Sequence, residues 1–421
     1  MVGGGFAGLS SAVYLAKNNF DVELIESAPK LGGRAYSLKD SVTGDVIDNG
    51  QHLLMGCYDN TLEYLKLIGS YEQLNIPRFF NFNFVDKTGK KYSLKTGSNF
   101  YPFNLLSAFL KFDYLRLSER LKVIYFLLKL NFLDDRQYLN QNAKELLDGF
   151  AQTEKIKKSF WDFIIIGAMN CNPDTASASM FIRIVKQIFF RGNFAALPII
   201  PNCGLSELYC EHSEKYLKKL GGVIRLSEQV TGIKAEGERV TEIKTNRRVI
   251  KDFDFLIFAV PPFALSKVEN LETLEELKFE YSAIISIHIW LKENNLDFNF
   301  CGLIDSPIHW VFNHKSFITT VTSDANNFVH LTKEELFDIA AIELKKYLGI
   351  RKEDISDYKV IKEKRATFIP DLNSEIIRKG IKSKYINLYL AGDWVDTGLP
   401  GTIESAVKSG KEAYKKIISS K

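Results

Sequence analysis

Three stretches of this 421-residue chain predict an α/β fold in which a Rossmann-type dinucleotide-binding domain is discontinuous in sequence and carries an inserted mixed α+β domain. The first is the turn Gly3-Gly4-Gly5-Phe6-Ala7-Gly8. It is followed by a helix-period run (Leu9, Ala12, Val13, Leu15, Ala16) and by the apolar run Val22-Glu23-Leu24-Ile25, which ends on Glu26. The second is Leu388-Tyr389-Leu390-Ala391-Gly392-Asp393, a buried-strand pattern running into an acid, with a helix (Ile403, Ala406, Val407, Tyr414) opening after Thr402. The third is the return to alternating helix and strand patterns after Ile199-Ile200-Pro201. These assign residues 1–75, 201–265 and 376–421 to the dinucleotide-binding domain, and 76–200 and 266–375 to the inserted domain with its helical cap.

Each glycine of the first turn answers a separate demand. Gly3 permits the tight strand-to-helix turn, Gly5 lets backbone approach a pyrophosphate, and Gly8 lets the helix pack closely on the strand, so that a diphosphate sits on a helix N-terminus. Glu26 is placed to accept hydrogen bonds from an adenosine ribose. A parallel strand normally spans about five residues. Only Met1 and Val2 precede Gly3, which implies a short strand or a start that lies upstream.

A helix carrying Leu62, Leu65 and Ile68 closes the first unit near Gly69, and the composition then changes. Phe79–Phe84 and Phe100–Phe112 are loaded with aromatics, and Leu117–Leu133 reads as an apolar helix interrupted by Arg120, Lys122 and Lys129. No uninterrupted run of about 18 apolar residues exists, so no membrane-spanning helix is expected. Two readings stay open for these stretches: a helical cap lining its own core, or a membrane interface formed by Phe100–Phe112 and by Ile184–Ile200, where Lys186 and Arg191 adjoin Phe189 and Phe190. Farther on, a helix over Ser206–Leu220 stops at Gly221-Gly222, and strands follow at Val223–Leu226, Val240–Lys244 and Phe253–Val260. The alternating run Ala283–Trp290 predicts a strand whose sheet walls a cavity.

With 46% hydrophobic and 25% charged residues, the chain buries a sizeable core. A net charge of +4, with no basic block interleaved with aromatics, argues against a nucleic-acid partner. Cys57, Cys171, Cys203, Cys210 and Cys301 are scattered without a C-x-x-C pair, so neither a disulfide framework nor a metal site is expected and a reducing cytoplasm fits. No leader pattern precedes the glycine turn.

Downstream of Glu26, Pro29-Lys30-Leu31-Gly32-Gly33-Arg34 lets the chain double back over a diphosphate, with Arg34 offering phosphate oxygens a fixed fork. This pattern resembles the FAD-binding superfamily of amine oxidases and phytoene desaturases. The resemblance implies FAD, contacted by Gly3, Gly5, Phe6, Ala7, Gly8, Glu26, Ser27, Gly33 and Arg34. It further implies that Val230 holds the adenine end by its backbone, that Gly392 and Asp393 meet the ribityl or diphosphate portion, and that Gly50 and Gln51 pass beside the ring. Thr402 and Ile403 then point helix N-terminal amides at the flavin N1–O2 edge, which favours an anionic reduced flavin. No cysteine lies in the C-terminal segment, so the flavin is expected to be non-covalent.

Four further stretches resemble one family within that superfamily, the squalene-associated FAD-dependent desaturases or hydroxysqualene dehydroxylases. They are Asp48-Asn49-Gly50-Gln51-His52; Phe160-Trp161 with Ala168-Met169-Asn170 and Ser177-Ala178-Ser179; Lys364-Arg365-Ala366-Thr367-Phe368; and Ala391-Gly392-Asp393-Trp394 with Asp396-Thr397-Gly398-Leu399-Pro400 and Thr402-Ile403-Glu404. Departures are modest: Gly4 and Gly401 stand where alanine is common. The resemblance implies reductive dehydroxylation of hydroxysqualene to squalene, a long apolar isoprenoid substrate, an unidentified electron donor for the flavin, and a cytoplasmic protein peripheral to the inner face of the cell membrane. For the proton source, His52 and Gln51 are the first candidates and Asp396 the second. Asp48 and His52 could instead tie the loop, and Asp396 could stabilise a turn. A carotenoid-type desaturase, an amine oxidase and a non-catalytic isoprenoid escort are the competing readings.

Overall fold

The computed structural model describes residues 1–271 and 277–420; the part of the inserted range at 272–276 lies outside them. Helix α1 (Phe6–Lys17) is buried from Phe6 through Ala16, because its residues there are nearly all apolar or small. It packs on one side against the C-terminal helix Ile403–Ser419, where Ser11 Oγ donates to the Gly410 carbonyl at 2.9 Å. On its other side lies a parallel sheet.

In that sheet Glu23–Ile25 pairs with Val223–Arg225, and Leu256–Phe258 pairs with Leu388–Leu390, both in parallel. Val2 lies between the two pairs, bridging in parallel to Ile25 and to Phe258. The first strand is thus reduced to one bridging residue. Its central place is fixed by Val2 N–H to Ile257 O at 2.9 Å, Gly3 N–H to Ile25 O at 2.8 Å and Ala259 N–H to Val2 O at 2.7 Å. The glycine turn therefore leaves from the middle of the sheet's carboxyl edge, where open α/β sheets bind ligands. Helix α2 (Asp59–Ile68) ends, as the pattern predicts, at Gly69, which is left-handed at φ +79°.

A seven-stranded mixed sheet forms the second body. Its order is Ile355–Phe368, Tyr281–Leu291, Ile318–Thr322, Trp310–Asn313, Phe300–Leu303, Asn81–Val85 and Lys91–Lys95. The alternation read at Ala283–Trp290 falls within the Tyr281–Leu291 strand and sorts its two faces. Ile285, Ile287 and Ile289 pack under a helix carrying Leu336, Ala340 and Leu344. Ile284, on the opposite face, joins Phe84, Phe300, Trp310 and Phe312 beneath the helical cap.

That cap contains α3 (Phe103–Lys111), α4 (Leu117–Phe132) and the helix Ala178–Phe189. Its aromatics are mostly core: Phe80, Phe109, Phe112, Phe126, Phe160, Trp161 and Phe189 are buried in one cluster. Of the two stretches read as a membrane interface, Ile184–Ile200 is turned mainly inward, with Phe194 its exposed aromatic. Within Ile184–Ile200, the side chains of Ile184, Val185, Phe189 and Ile199 face inward. The basic residues there are engaged with protein, Lys186 Nζ donating to Leu133 O at 2.6 Å and Arg191 pairing with Asp59 at 2.6 Å. The Phe100–Phe112 half differs, with Phe100, Phe103 and Leu110 exposed.

Candidate active site

One cavity of about 560 Å³ joins the two bodies. At its polar end stand Gly3, Gly4, Gly5, Phe6 and Ala7 of the glycine turn, Glu26 and Ser27, Gly33 and Arg34, Gly50 and Gln51, Gly392 and Asp393, and Thr402 and Ile403. Its apolar end is walled by Phe80, Phe82, Phe84, Phe160, Phe163 and Trp310. His52 lines the same cavity.

The polar end has the form of an anion cradle. Two helix N-termini open on it: α1 starts at Gly5, and the C-terminal helix is capped by Thr402, whose Oγ1 accepts from Ser405 N–H at 3.2 Å. Each presents unpaired amides and a partial positive charge. A Cβ built on Gly5 would meet Gly32 and Gly33 only at 3.8 Å, so no protein atom requires glycine there, and the space above the α1 N-terminus is left to a ligand. Gly8 serves the fold instead. A Cβ there would sit 1.9 Å from the Gly3 carbonyl oxygen, and Gly8 lies beneath the turn rather than on the cavity.

Glu26 is held with its carboxylate at the cavity edge: Oε2 accepts from Gly4 N–H at 2.6 Å, and Oε1 accepts from Ala28 N–H at 2.8 Å and Ser27 Oγ at 3.2 Å. The Arg34 fork is engaged by the protein itself, pairing with Asp393 and donating to Ala366 O at 3.1 Å. Asn49 fixes the loop bearing Gly50 onto this turn. Its Oδ1 accepts from Tyr36 N–H and its Nδ2 donates to Arg34 O, both at 3.0 Å. Asp48 acts as a tie, accepting from Ser37 Oγ at 2.6 Å and Leu205 N–H at 3.0 Å; burial pushes its carboxyl up to about 6.

His52 is not a tie. Its Nδ1 is buried with no hydrogen-bond partner, and burial lowers its pKa to about 4, the Gly50 backbone opposing this only in part. The imidazole is therefore neutral at neutral pH. For Asp396 the geometry favours the turn reading. This residue is exposed, lies off the cavity, and its Oδ1 accepts from Gly398 N–H at 3.1 Å, the geometry of a side-chain-stabilised turn. Val230 also does not line the cavity. It opens the strand Val230–Glu236, and its side chain packs with Val2, Ile25, Phe258 and Trp394.

Several groups converge on the cavity unannounced by the sequence. Tyr58 stands at the junction with a side chamber of about 270 Å³ whose wall includes Asp59, Gln187, Arg191, Glu404 and Lys408. Its hydroxyl bonds to Thr402 and is pushed well up by burial. Glu404 caps α2 from across the chain, accepting from Asn60 N–H at 3.0 Å and Nδ2 at 2.7 Å, and from Thr61 N–H at 2.9 Å and Oγ1 at 2.7 Å. Glu363 lines the cavity too, and its only signal was its position beside Lys364-Arg365.

The model of the flavin-containing amine oxidoreductase family matches residues 6–418. Hydroxysqualene dehydroxylase from Zymomonas mobilis is 27% identical over 417 residues, covering 98% of this chain and 97% of its own. The enzyme of that name from Rhodopseudomonas palustris is 27% identical, covering 98% and 96%. Among solved structures, an oxidoreductase from Methanosarcina mazei superposes with a TM-score of 0.77 at 18% identity, covering 98% of this chain and 99% of that one. The family match covers nearly the full length of the chain, and it follows that this FAD-dependent oxidoreductase belongs to the flavin-containing amine oxidoreductase family.

Proposed function

We propose that the enzyme reductively removes the allylic hydroxyl of hydroxysqualene to give squalene. The observation that carries this reading is a cavity whose dinucleotide end runs into a wall of aromatic side chains, among them Phe80, Phe82, Phe84, Phe160, Phe163 and Trp310. Each carboxylate on the cavity is bonded by the polar-end loops: Glu26 by Gly4 and Ala28, Asp393 by Arg34, and Glu363 by Asn49 at 3.4 Å. The aromatic wall itself carries no carboxylate, and an apolar surface of this kind suits a hydrocarbon chain. The two relatives named hydroxysqualene dehydroxylase support the same choice.

In the reaction a C–O bond breaks, a C–H bond forms and water leaves. FAD, when bound and reduced, supplies the hydride. Glu26 and Ser27 hold the adenosine ribose, Gly3, Gly5, Phe6, Ala7 and Gly33 bring backbone to the diphosphate, and Arg34 orients Asp393 toward the ribityl chain. Thr402 and Ile403 place helix amides where negative charge accumulates. Gly50 and Gln51 border the reacting face, and His52, with its unpaired Nδ1, donates the proton to the departing oxygen. The faces of Phe160, Phe163 and Trp310 exclude water and stabilise a developing allylic cation.

The test is incubation of chemically reduced enzyme with hydroxysqualene, with squalene measured by mass spectrometry. Acid precipitation should leave the yellow FAD in the supernatant. Desaturated products from a polyene, or peroxide released from an amine, would select the competing enzymes, and a colourless protein that takes up no FAD would select the escort.

A further inference from the structure

We propose that α3 and α4 form a docking surface for an anionic lipid bilayer, which brings the apolar end of the cavity to within one helix of the lipid; this deepens the reading of an apolar substrate. The apolar residues of α4 fall on two opposite faces. Val123, Phe126, Leu127 and Leu130 are buried in the cap, whereas Leu117, Leu121, Tyr125, Leu128 and Phe132 are exposed at intervals of four, four, three and four residues, one stripe on the outer face. Phe132 is 84% exposed and Phe100 71%. Of the eighteen large hydrophobic side chains exposed among the described residues, eight lie between Phe100 and Phe132. Scattered exposed apolar residues need no explanation, but a stripe of them beside a second exposed pair, Phe100 stacked on Phe103 at 5.4 Å, does.

Charge chooses the occupant. Between Lys95 and Leu133 there are six basic residues (Lys95, Lys111, Arg116, Arg120, Lys122, Lys129) and two acids (Asp113, Glu119). That excess of four equals the net charge of the whole chain, so the rest of the protein is neutral on balance. Arg120 is structural: Nε donates to Leu115 O and Nη1 to Leu110 O, both at 2.7 Å, pinning the end of α3 to the start of α4. Lys111, Arg116, Lys122 and Lys129 are exposed around the apolar stripe. Apolar side chains ringed by lysine and arginine match the boundary between acyl chains and anionic headgroups.

The inner face of α3 completes the argument. Phe109 packs edge-on against Phe160 at 5.1 Å and against Phe189 at 6.1 Å, and both of these line the cavity. One helix therefore has its outer residues on the proposed lipid surface and its inner residue on the wall of the apolar chamber.

The test is flotation of the FAD-loaded enzyme with phosphatidylcholine vesicles, with and without phosphatidylglycerol. Wild type should float with the anionic vesicles and much less with the neutral ones, and binding should weaken with salt. The exposed-face variant Leu121→Ser/Leu128→Ser/Phe132→Ser should lose roughly 100-fold in vesicle partitioning while keeping its FAD and its melting temperature. Absence of wild-type binding, or unchanged binding by the variant, overturns the proposal. So does a wild-type dimer that the variant dissolves, because the face would then serve a second copy. Vesicle binding is read without turnover, and squalene formation in detergent is read without vesicles, so the failure of one reading is distinguishable from the failure of the other.

Discussion

Arg34 and Asp393, 359 residues apart, form an ion pair that joins the first dinucleotide-binding segment to the last. Asp393 is almost wholly buried, and Arg34 keeps about a third of its surface on the cavity. Because Arg34 Nη1 also reaches Ala366 O, the pair ties the mixed sheet to both segments.

Replacing Asp393 by Ala leaves the Arg34 guanidinium without its partner in a low-dielectric wall. The expected loss is about 1–3 kcal/mol, lowered from the fully buried case by the exposure of Arg34, together with weakened FAD binding. Thermal melts of apo and FAD-loaded variant check this. A variant that melts with wild type in both states would show that the pair is not a joint.

Glu26→Ala removes an acceptor whose carboxylate is already oriented by three hydrogen bonds. FAD affinity should drop by about 1–3 kcal/mol, measured by fluorescence titration of the apoprotein. Unchanged affinity would remove Glu26 as the ribose anchor.

Acid should destabilise the protein well above the carboxylate range. Burial lowers His52, His288, His309 and His314 to about 4. The unfolded chain, with histidines near 6.5, therefore takes up protons first as the pH falls, and stability present above about 6.5 is lost progressively down to about 4. Asp48 and Asp162, both raised to about 6 by burial, act in the opposite sense, since the folded state protonates them first. Asp324 and Glu404, also raised by burial, add to that opposing sense, but four histidines each brought from about 6.5 to about 4 outweigh them and leave a net loss. The melting temperature should fall between pH 7 and 4.5, and a flat or rising profile would contradict these assignments.

His52→Ala should lower turnover by roughly 10²–10⁴-fold with FAD content unchanged. With a pKa of about 4, only about one His52 in 10³ is protonated at pH 7, so the wild-type rate should climb as the pH drops toward 5 and the variant's profile should lose that slope. A variant with wild-type rate and slope would return His52 to the wall and make Tyr58 or Glu363 the next proton source to test.

What the sequence revealed followed the range of its signals. The glycine turn, Glu26 and the Ala283–Trp290 strand were legible because each demand falls within a few residues. Glu404 and its partners Asn60 and Thr61 were not, because a cap supplied from the far end of the chain leaves no spacing to read. Asp396 stayed open between two readings because a turn and an acid catalyst use the same residue type, and its bond from Gly398 N–H favours the turn. His52 was legible as a residue of the site but not in its protonation, which depends on the walls around it. In the cap, apolar residues alternating with lysine read alike whether they face inward, as in Ile184–Ile200, or outward, as on α4.

The central claim is tested most directly by anaerobic mixing, in deuterium oxide, of enzyme whose flavin has been reduced there so that N5 carries deuterium, with one equivalent of hydroxysqualene. The account predicts flavin oxidation in step with squalene formation, one squalene per flavin, with deuterium at the carbon that lost its hydroxyl. Flavin that stays reduced, or squalene that carries no deuterium, would contradict it.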